Sequence, residues 1–524
     1  MANIEELLEQ VRRSDPARRL GRVREAVGLV MESEGPPACL GELCLIFPAH
    51  SEEPLPAEVV GFRGSRLLLM AIGDTRRVAP GSRVLGMGRQ LEVCVGEDLL
   101  GRVLNGLGEP LDGGRAAQAA TRRRMPLENS PPNALHRAPI TEPLGLGIRA
   151  MDACLTCGKG QRLGIFSAAG VGKSTLLGMA ARGSRCDVNV IALVGERGRE
   201  VRDFIDHSLG PEGLACSVVV VATSDQPPLV RIKCAQVATA IAEFFRDLGR
   251  DVLLMMDSVT RVAWAMREVG LAVGEPPTRS GYTPSVFASL PRLTERAGMG
   301  CATGDPPSAD HAAPAAGSIT GLYSVLVEGD DLDDPVADTV RGILDGHVVL
   351  SRRLASQGQY PAIDVVHSVS RLMPRIMPVR QRRLAEEVRE LLAAHREAED
   401  LVNLGAYEHG SNPLLDRALA LRPSLTAFLR QDLGEMTPLE ESWRLLGEIL
   451  DRPTASGRGV PVNRDRAAAA RGSAATAIAA QPSGSLRPGG PPPRVSGWRG
   501  PSAVTSQEAD AHLPSGPGQE EQAP

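Results

Sequence analysis

The residues best suited to chemistry in this sequence are 167–175, which read SAAGVGKST. The apolar run LGIF precedes them and the helical sequence LLGMAARG follows, which is the strand, glycine loop and helix start of a phosphate-binding loop. Backbone N–H groups in such a loop point at phosphates, and the helix dipole favours their charge. Lys173 can reach the β- and γ-phosphates and Ser174 can ligate Mg²⁺, so the loop predicts a site for ATP and Mg²⁺.

Ser167 is a departure from the pattern G-x-x-x-x-G-K-[ST], because it stands where the first glycine belongs. Lys173 has independent support, since the chain has only three lysines against dozens of arginines. A compact ammonium fits inside a phosphate loop where a planar guanidinium would crowd it. The residues expected to bind nucleotide here are Ser167, Ala168, Ala169, Gly170, Val171, Gly172, Lys173, Ser174 and Thr175.

Two carboxylates at the ends of other apolar runs could add hydrolysis to binding. Glu196 follows VIALVG, where it could orient or deprotonate an attacking water; a helix-capping glutamate is the alternative. Asp257 ends the run VLLMMD, the Walker B form that holds Mg²⁺ or its water shell. Ser174 and Asp257 are therefore the expected metal ligands. Arg371 in SVSR could equally be a surface arginine by position alone.

The elements that position these residues follow from apolar runs that alternate with helical stretches between about 141 and 371. Strands are predicted near 163–166, 188–194, 217–222 and 252–256. Fully apolar strands separated by helices imply an α/β fold, with a parallel sheet covered on both faces. A Pro/Ala/Asp-rich stretch at 301–316 predicts an exposed loop within this domain.

Different patterns flank the α/β domain. Short β-rich runs punctuated by Gly and Pro predict a small barrel before it, and charged sequence of helical period predicts a helical domain after it. An apolar stripe at Ile4, Leu7, Leu8 and Val11 predicts an amphipathic helix that packs on its own domain or docks a partner. The predicted organisation is a helix at 1–21, a barrel at 22–113, a linker at 114–140, the α/β domain at 141–375, a helical domain at 376–452 and a disordered tail at 453–524.

Composition limits the expected partners, the location and the state of the cysteines. Net charge is −5 and aromatic residues are 3%, so neither a basic field nor a supply of base-stacking rings is present, and nucleic acid is not the expected partner. No apolar run approaches a membrane span and the N-terminus does not resemble a secretory signal, which favours the cytosol. The nine cysteines are expected to be reduced and mostly buried, with Cys154 and Cys157 of the CxxC packed in a core.

Taken together, these motifs resemble the rotary ATPases related to the F-type catalytic β subunit, and specifically the ATPases of type III protein export, most closely the flagellar branch. The resemblance covers roughly residues 22 to 450. It is carried by LLGRVLNGLGEPLDG, GVGKSTLLGM, GERGREVRDFI, VVVATSDQPPLVR, DVLLMMDSVTR, GYTPSVFASLPRLTERAG, GSITGLYSVLVEGDD, ILDGHVVLSRRLA, YPAIDVVHSVSR and LGAYEHGSNPLLDRA.

The resemblance implies a RecA-like P-loop core in a homohexamer, with nucleotide at the subunit interfaces. By motif, Glu196 would be the catalytic glutamate, Asp257 the Walker B aspartate and Arg371 an arginine finger that reaches a neighbour's nucleotide. Tyr360 would pack near the adenine. The catalytic set expected from these motifs is Lys173, Glu196, Arg197, Asp257, Arg261 and Arg371.

The family also implies partners. These are a negative regulator bound through the N-terminal helix, a coiled-coil stalk protein, an export-gate membrane protein, and export substrates with their chaperones. The expected location is the cytoplasmic face of the inner membrane, where the ring would release or unfold substrates. A virulence-type secretion ATPase, a non-hydrolysing structural subunit and a hexameric nucleic-acid motor are the alternatives. Glu196 and Arg371 speak against the structural subunit, and the charge balance speaks against the motor.

Overall fold

The computed structural model describes residues 19–48, 53–113, 123–301, 317–327 and 334–452. Three expectations fall wholly or almost wholly outside these ranges. They are the amphipathic stripe at Ile4 to Val11, the exposed loop at 301–316 apart from Cys301, and the tail at 453–524.

The N-terminal part of the described chain is a closed six-stranded barrel, as the short β-rich runs predicted. Its strands are antiparallel and follow the order β1-β2-β5-β4-β3-β6. Buried side chains such as Ile46, Leu69 and Val84 fill its interior. The strands are β1 (Leu20–Val27), β2 (Val30–Glu34), β3 (Glu42–Phe47), β4 (Leu55–Arg63), β5 (Arg66–Ala71) and β6 (Arg83–Gln90).

Three short strands connect the barrel to the core: β7 (Glu92–Val95), β8 (Val103–Asn105) and β9 (Arg123–Pro126). β7 and β9 form a separate antiparallel pair, although 123–126 fell in the expected linker. β8 lies in the segment expected to be barrel, yet it pairs with an edge strand of the central sheet. Leu104 of β8 is fully buried there, which explains why this short apolar strand joins the larger core.

The central sheet is parallel apart from its first edge strand and one short side strand, which confirms the predicted α/β core. Its order is β19-β18-β12-β17-β15-β13-β14-β8, and β16 pairs with β17 beside this path. The four predicted strands are present and almost wholly buried. The remaining strands are β10 (Pro143–Leu144), β11 (Cys157–Gly158), β12 (Arg162–Ser167), β13 (Val188–Val194), β14 (Ser217–Ala222), β15 (Asp251–Asp257), β16 (Gly298–Met299), β17 (Ser318–Leu326), β18 (Gly346–Leu350) and β19 (Val369–Ser370).

Helices cover the sheet and then form the C-terminal domain, as predicted. Trp443 of that domain donates its indole N–H to the carbonyl of Asp152 at 3.0 Å, and thereby ties it to the core. The α-helices are Arg149–Cys154, Lys173–Gly183, Gly198–Asp203, Gly210–Ala215, Pro228–Asp247, Val259–Val273, Pro284–Thr294, Pro335–Ile343, Arg352–Ser356, Met373–Ile376, Val379–Glu397, Glu399–Asn403, Pro413–Leu429 and Leu439–Leu450. None of these described helices is both long and apolar enough to cross a membrane.

The cysteines are all free thiols, and Cys154 and Cys157 are buried as expected. The wider expectation that the thiols are mostly buried is wrong. Four are buried and two are half-buried, whereas Cys39, Cys94 and Cys301 are exposed. Cys39 lies in the loop between β2 and β3, Cys94 on the outer face of β7, and Cys301 at an isolated bridge to Arg137 just after β16.

Candidate active site

The phosphate loop connects the carboxyl end of β12 to the helix Lys173–Gly183. Its backbone turns at Gly170 and Gly172, whose φ angles of 79° and 95° lie in the left-handed region. Ser167 is not among the residues with positive φ. Because only the two glycines need left-handed backbone, serine fits in place of the first glycine of the pattern without backbone strain.

The side chains of Lys173, Ser174 and Ser324 converge on the carboxylate of Asp257. Nζ of Lys173 lies 2.6 Å from Oδ1 of Asp257. The hydroxyl of Ser324 donates to Oδ1 at 2.8 Å, and that of Ser174 donates to Oδ2 at 3.3 Å. The Lys173 and Asp257 side chains are only 8% and 1% exposed, so the ion pair is shielded from water and depends on these hydrogen bonds.

Strand order explains this convergence. β17 lies between β12 and β15, so the phosphate loop and Asp257 emerge on either side of it. Met256 pairs with Tyr323, which places Asp257 level with Ser324. The carboxyl edge of a parallel sheet is the usual place for a ligand site in an α/β fold, and here it carries all four side chains.

Glu196 lies at the same edge, just beyond β13 on the far side of β15. Its Oε2 lies 2.8 Å from the guanidinium of Arg261 in an ion pair, and Arg261 donates a hydrogen bond to the carbonyl of Gly195. Gly195 has a φ of 68°, and a Cβ there would lie 2.9 Å from Cδ of Arg261. Glycine at 195 therefore permits the contact between the turn and the arginine.

The environment of Glu196 alters its protonation. Burial raises the pKa of Glu196 to about 7, and a hydrogen bond with Glu200 and the charge of Asp257 also raise it, while Arg261 and Lys173 oppose the rise. The same hydrogen bond lowers the pKa of the more exposed Glu200. Glu196 can thus exchange a proton near neutral pH, which is the range suited to a general base.

Arg197 and Tyr360, two other expected site residues, lie outside this buried cluster. The guanidinium of Arg197 is 3.3 Å from Glu200, and its side chain is 80% exposed. The ring of Tyr360 lies beside the phosphate loop, because a Cβ at Gly172 would be 3.8 Å from two of its carbons. Tyr360 is 48% exposed, which leaves ring surface free at the edge of the loop.

Arg371 lies away from the phosphate loop of its own chain. It follows β19, where Ser370 pairs with Gly346 at the amino end of β18. The loop instead follows Ser167, which pairs with Leu350 at the carboxyl end of β18. Four residues of strand, about 13 Å, separate the two levels. The exposed Arg371 donates to the carbonyls of Leu344 and Arg341 at 3.2 and 3.3 Å, so it faces away from its own Lys173 cluster.

Ser324 and Glu200 are parts of the site that the sequence reasoning missed. Ser324 lies in the buried strand β17, which also carries Ser318 and Thr320, so a serine at this position gives no signal. Glu200 is one charge in the polar run GERGREV, and only the turn after β13 brings it to Glu196. Buried hydroxyls usually have a hydrogen-bond partner, so a buried Ser324 would be expected to have one. That rule does not identify Asp257 as the partner.

The oxygen donors at this edge fit Mg²⁺. The hydroxyl of Ser174 and the carboxylate of Asp257 are hard ligands, and a Mg²⁺ ion bound with nucleotide takes few protein ligands beside phosphate oxygens and water. Among the described residues, no group of three or more His, Cys, Asp and Glu side chains forms a self-sufficient metal site.

A phosphate loop, a buried aspartate and a glutamate at one sheet edge, set between a barrel and a helical domain, define a P-loop ATPase. Family models agree over most of the described chain. The nucleotide-binding domain of the ATP synthase alpha/beta family matches residues 147–370, and the beta-barrel domain of that family matches 23–88. The C-terminal domain of the type III secretion ATPase EscN matches 377–448.

Comparison with individual proteins shows which members of this family the chain resembles. It is 51% identical over 437 residues to the flagellum-specific ATP synthase of Bacillus subtilis, covering 83% of this chain and 96% of that one. It is 50% identical over 434 residues to the type 3 secretion system ATPase of Xanthomonas euvesicatoria, covering 83% and 95%. The assembled ATPase EscN from enteropathogenic E. coli, solved with its central stalk EscO, aligns with a TM-score of 0.73 at 40% identity, over 82% of this chain and all of that one. The chain therefore belongs to the ATP synthase alpha/beta family, among its type III secretion and flagellum-specific ATPases.

Proposed function

We propose that this chain is the ATP hydrolase of a type III protein export apparatus of the flagellar kind. In a homohexameric ring, it couples hydrolysis to the release or unfolding of export substrates and to their delivery. The buried cluster of Lys173, Ser174 and Asp257 beside Glu196 carries the proposal, because it combines groups for phosphate and metal with a carboxylate able to take a proton. The 51% identity to a flagellum-specific relative supports the export setting.

Nucleotide binding would begin at the phosphate loop. The backbone of residues 168–175 would surround the phosphates, and the ammonium of Lys173 would move from Asp257 toward the γ-phosphate. Ser174 and Asp257 would hold the metal, and Tyr360 would face the base from beside Gly172. When bound, Mg²⁺ supplies positive charge that stabilises the transferring phosphoryl group.

Glu196 would then position the attacking water and accept its proton. Its raised pKa gives it a proton affinity suited to that task near neutral pH. Arg261, 2.8 Å from Oε2, fixes the direction of the carboxylate and adds positive charge next to the phosphates. Arg197 has no such contact, so we assign it to the rim of the site and not to the reacting atoms.

Arg371 is proposed to act on the nucleotide of a neighbouring subunit. It lies at the opposite level of the sheet from its own phosphate loop, and within the described residues its guanidinium donates to the backbone carbonyls of Leu344 and Arg341. An arginine supplied in trans can accelerate phosphoryl transfer by about 10³ to 10⁵. Activity would therefore depend on assembly of the ring.

The proposed partners follow from the family. EscN was solved with its central stalk EscO, so we propose that this ATPase also binds a coiled-coil stalk protein. We further propose a negative regulator bound through residues 1–21, an export-gate membrane protein, and substrates with their chaperones. The proposed location is the cytoplasmic face of the inner membrane.

A virulence-type secretion ATPase is the second candidate function. The relative from Xanthomonas euvesicatoria is 50% identical, only one percentage point below the flagellar relative from Bacillus subtilis. The nucleotide chemistry would be the same in both systems, so the residues of the site do not discriminate between them. The exported substrates do.

Gene deletion in the source bacterium tests the proposal. Loss of the gene should stop export of flagellar filament protein and abolish motility, and the wild-type gene should restore both. Complementation with Glu196→Gln should restore neither, although the protein accumulates normally. Normal flagella with lost secretion of effector proteins would support the virulence-type system. No export defect of either kind would contradict the proposal.

A further inference from the structure

A second charged cavity lies away from the phosphate loop, between the segment that follows Tyr360 and the C-terminal helices. Its volume is about 30 Å³, enough for two water molecules or one compact ion. None of residues 167–175 lines it. Its walls come from Gln359 and the segment 363–366, from the helices Val379–Glu397 and Pro413–Leu429, and from the helix Arg352–Ser356.

Positive charge is in excess around this cavity. Its lining includes the cations or potential cations Arg353, His395, Arg396 and Arg422, against two carboxylates, Asp364 and Glu399. Both carboxylates are already engaged. Arg396 lies 2.8 Å from Asp364, and Arg353 forms an ion pair with Glu399.

Arg422 differs from the other two arginines of the lining. It forms no hydrogen bond or ion pair with any other residue of the described ranges, although it is half-buried. Burial lowers its pKa, as do the neighbouring charges of Arg353 and Arg396, and only Glu399 opposes them. Burial and the charge of Arg422 likewise lower the pKa of His395. A guanidinium held in a partly dry pocket among like charges is unfavourable unless an anion accompanies it.

We propose that this cavity binds a small tetrahedral oxyanion, with inorganic phosphate as the ligand, held by Arg422 together with Arg396 and Arg353. Guanidinium groups present paired N–H donors that match two oxygens of a phosphate. The volume admits one such ion and excludes a nucleotide. Gln359 of the lining precedes Tyr360, whose ring lies beside the phosphate loop, so the bound ion would also stabilise the backbone near the nucleotide site.

The test must separate this site from the phosphate loop, which also attracts phosphate. Thermal unfolding of full-length Lys173→Gln protein, whose loop is disabled, is measured without nucleotide at rising phosphate, with chloride at matched ionic strength as reference. We expect the unfolding temperature to rise by about 2 °C at about 20 mM phosphate relative to chloride. Adding Arg422→Gln should abolish this rise.

Arg383→Gln is the matched control, because Arg383 is an exposed arginine on the helix Val379–Glu397 that does not line the cavity. In the Lys173→Gln background it should leave the phosphate response unchanged. Without phosphate, Arg422→Gln should be at least as stable as its parent, since it removes an unpaired charge. The absence of any phosphate response in Lys173→Gln, or an equal response with Arg422→Gln, would overturn the proposal.

Discussion

The ammonium of Lys173 and the carboxylate of Asp257 lie 2.6 Å apart, almost completely shielded from water. The lysine of the phosphate loop is thus held by the residue expected to carry the metal. Under the proposed function, nucleotide with Mg²⁺ would separate the two groups, since each would then bind a different part of the ligand. We therefore expect the pair to stabilise the protein before ATP binds and to separate when it does.

Lys173→Met should lower turnover by a factor of about 100 or more, because no other side chain in the loop can reach the γ-phosphate. It should also lower the free energy of unfolding by about 1–3 kcal/mol, since it leaves the buried Asp257 without its ion pair. Chemical denaturation measures the second effect. The double variant Lys173→Met/Asp257→Asn should recover stability but not activity; if it is no more stable than the single variant, the ion pair does not stabilise the protein.

Glu196→Gln should bind nucleotide normally and lose turnover by about 10² to 10⁴. In the wild type, turnover should rise with pH up to about 7 and then level off, because only ionised Glu196 accepts a proton. Steady-state rates from pH 5.5 to 8.5 measure the loss of turnover in the variant and the pH profile of the wild type. A pH profile of the same shape in the two proteins would show that another group titrates.

Stability gives a second test of Glu196 that does not depend on activity. Its pKa is raised to about 7 in the folded state, so the folded protein keeps a proton that the unfolded chain releases at lower pH. Ionisation of Glu196 therefore removes stability as pH rises from about 4.5 to 7. The free energy of unfolding of Glu196→Gln minus that of the wild type should therefore be larger at pH 8 than at pH 5. If this difference is the same at the two pH values, the pKa of Glu196 is not raised.

Gly195→Ala should lower turnover by about tenfold or more, because a Cβ at 2.9 Å from Cδ of Arg261 would displace the guanidinium from Glu196. The positive φ of 68° adds backbone strain. Gly198→Ala is the matched control, since a Cβ at Gly198 meets nothing within 4 Å. Equal turnover in the two variants would mean that the contact of Arg261 with Glu196 is not needed.

Ser324→Ala should raise the Mg²⁺ concentration needed for half-maximal turnover several-fold, because Ser324 holds Oδ1 of Asp257 at 2.8 Å and so directs Oδ2 toward Ser174. Ser324→Thr keeps the hydroxyl and should behave as wild type. Binding of a fluorescent ATP analogue, with and without Mg²⁺, separates the effect on the metal from the effect on nucleotide. An unaltered Mg²⁺ dependence in Ser324→Ala would contradict this role.

The core of the fold was predictable because its strands are almost entirely apolar, with Asn189 the one polar residue of β13. The runs at 188–194 and 252–256 leave little alternative to buried parallel strands, and Glu196 and Asp257 become visible as the first charges after them. β8 could not be predicted, because three residues carry no periodicity, and its place in the central sheet depends on pairing with the distant β14.

The candidate site was predictable residue by residue but not as an arrangement. Lys173 and Asp257 each followed from a local motif, whereas the Ser324 hydrogen bond required knowing that β17 lies between β12 and β15. The position of Arg371 also depends on long-range pairing, that of β19 with β18. Strand order is a property of the whole chain, and no local pattern encodes it.

Mixing two inactive variants tests whether hydrolysis requires Glu196 of one subunit and Arg371 of the next. Rings that contain both Arg371→Ala and Glu196→Gln subunits would have some interfaces with a wild-type residue on each side. We expect each variant alone to hydrolyse ATP at background rates, and co-assembled mixtures to recover a fraction of wild-type turnover. Mixtures confirmed to co-assemble that remain at background, or an Arg371→Ala protein with full activity, would contradict it.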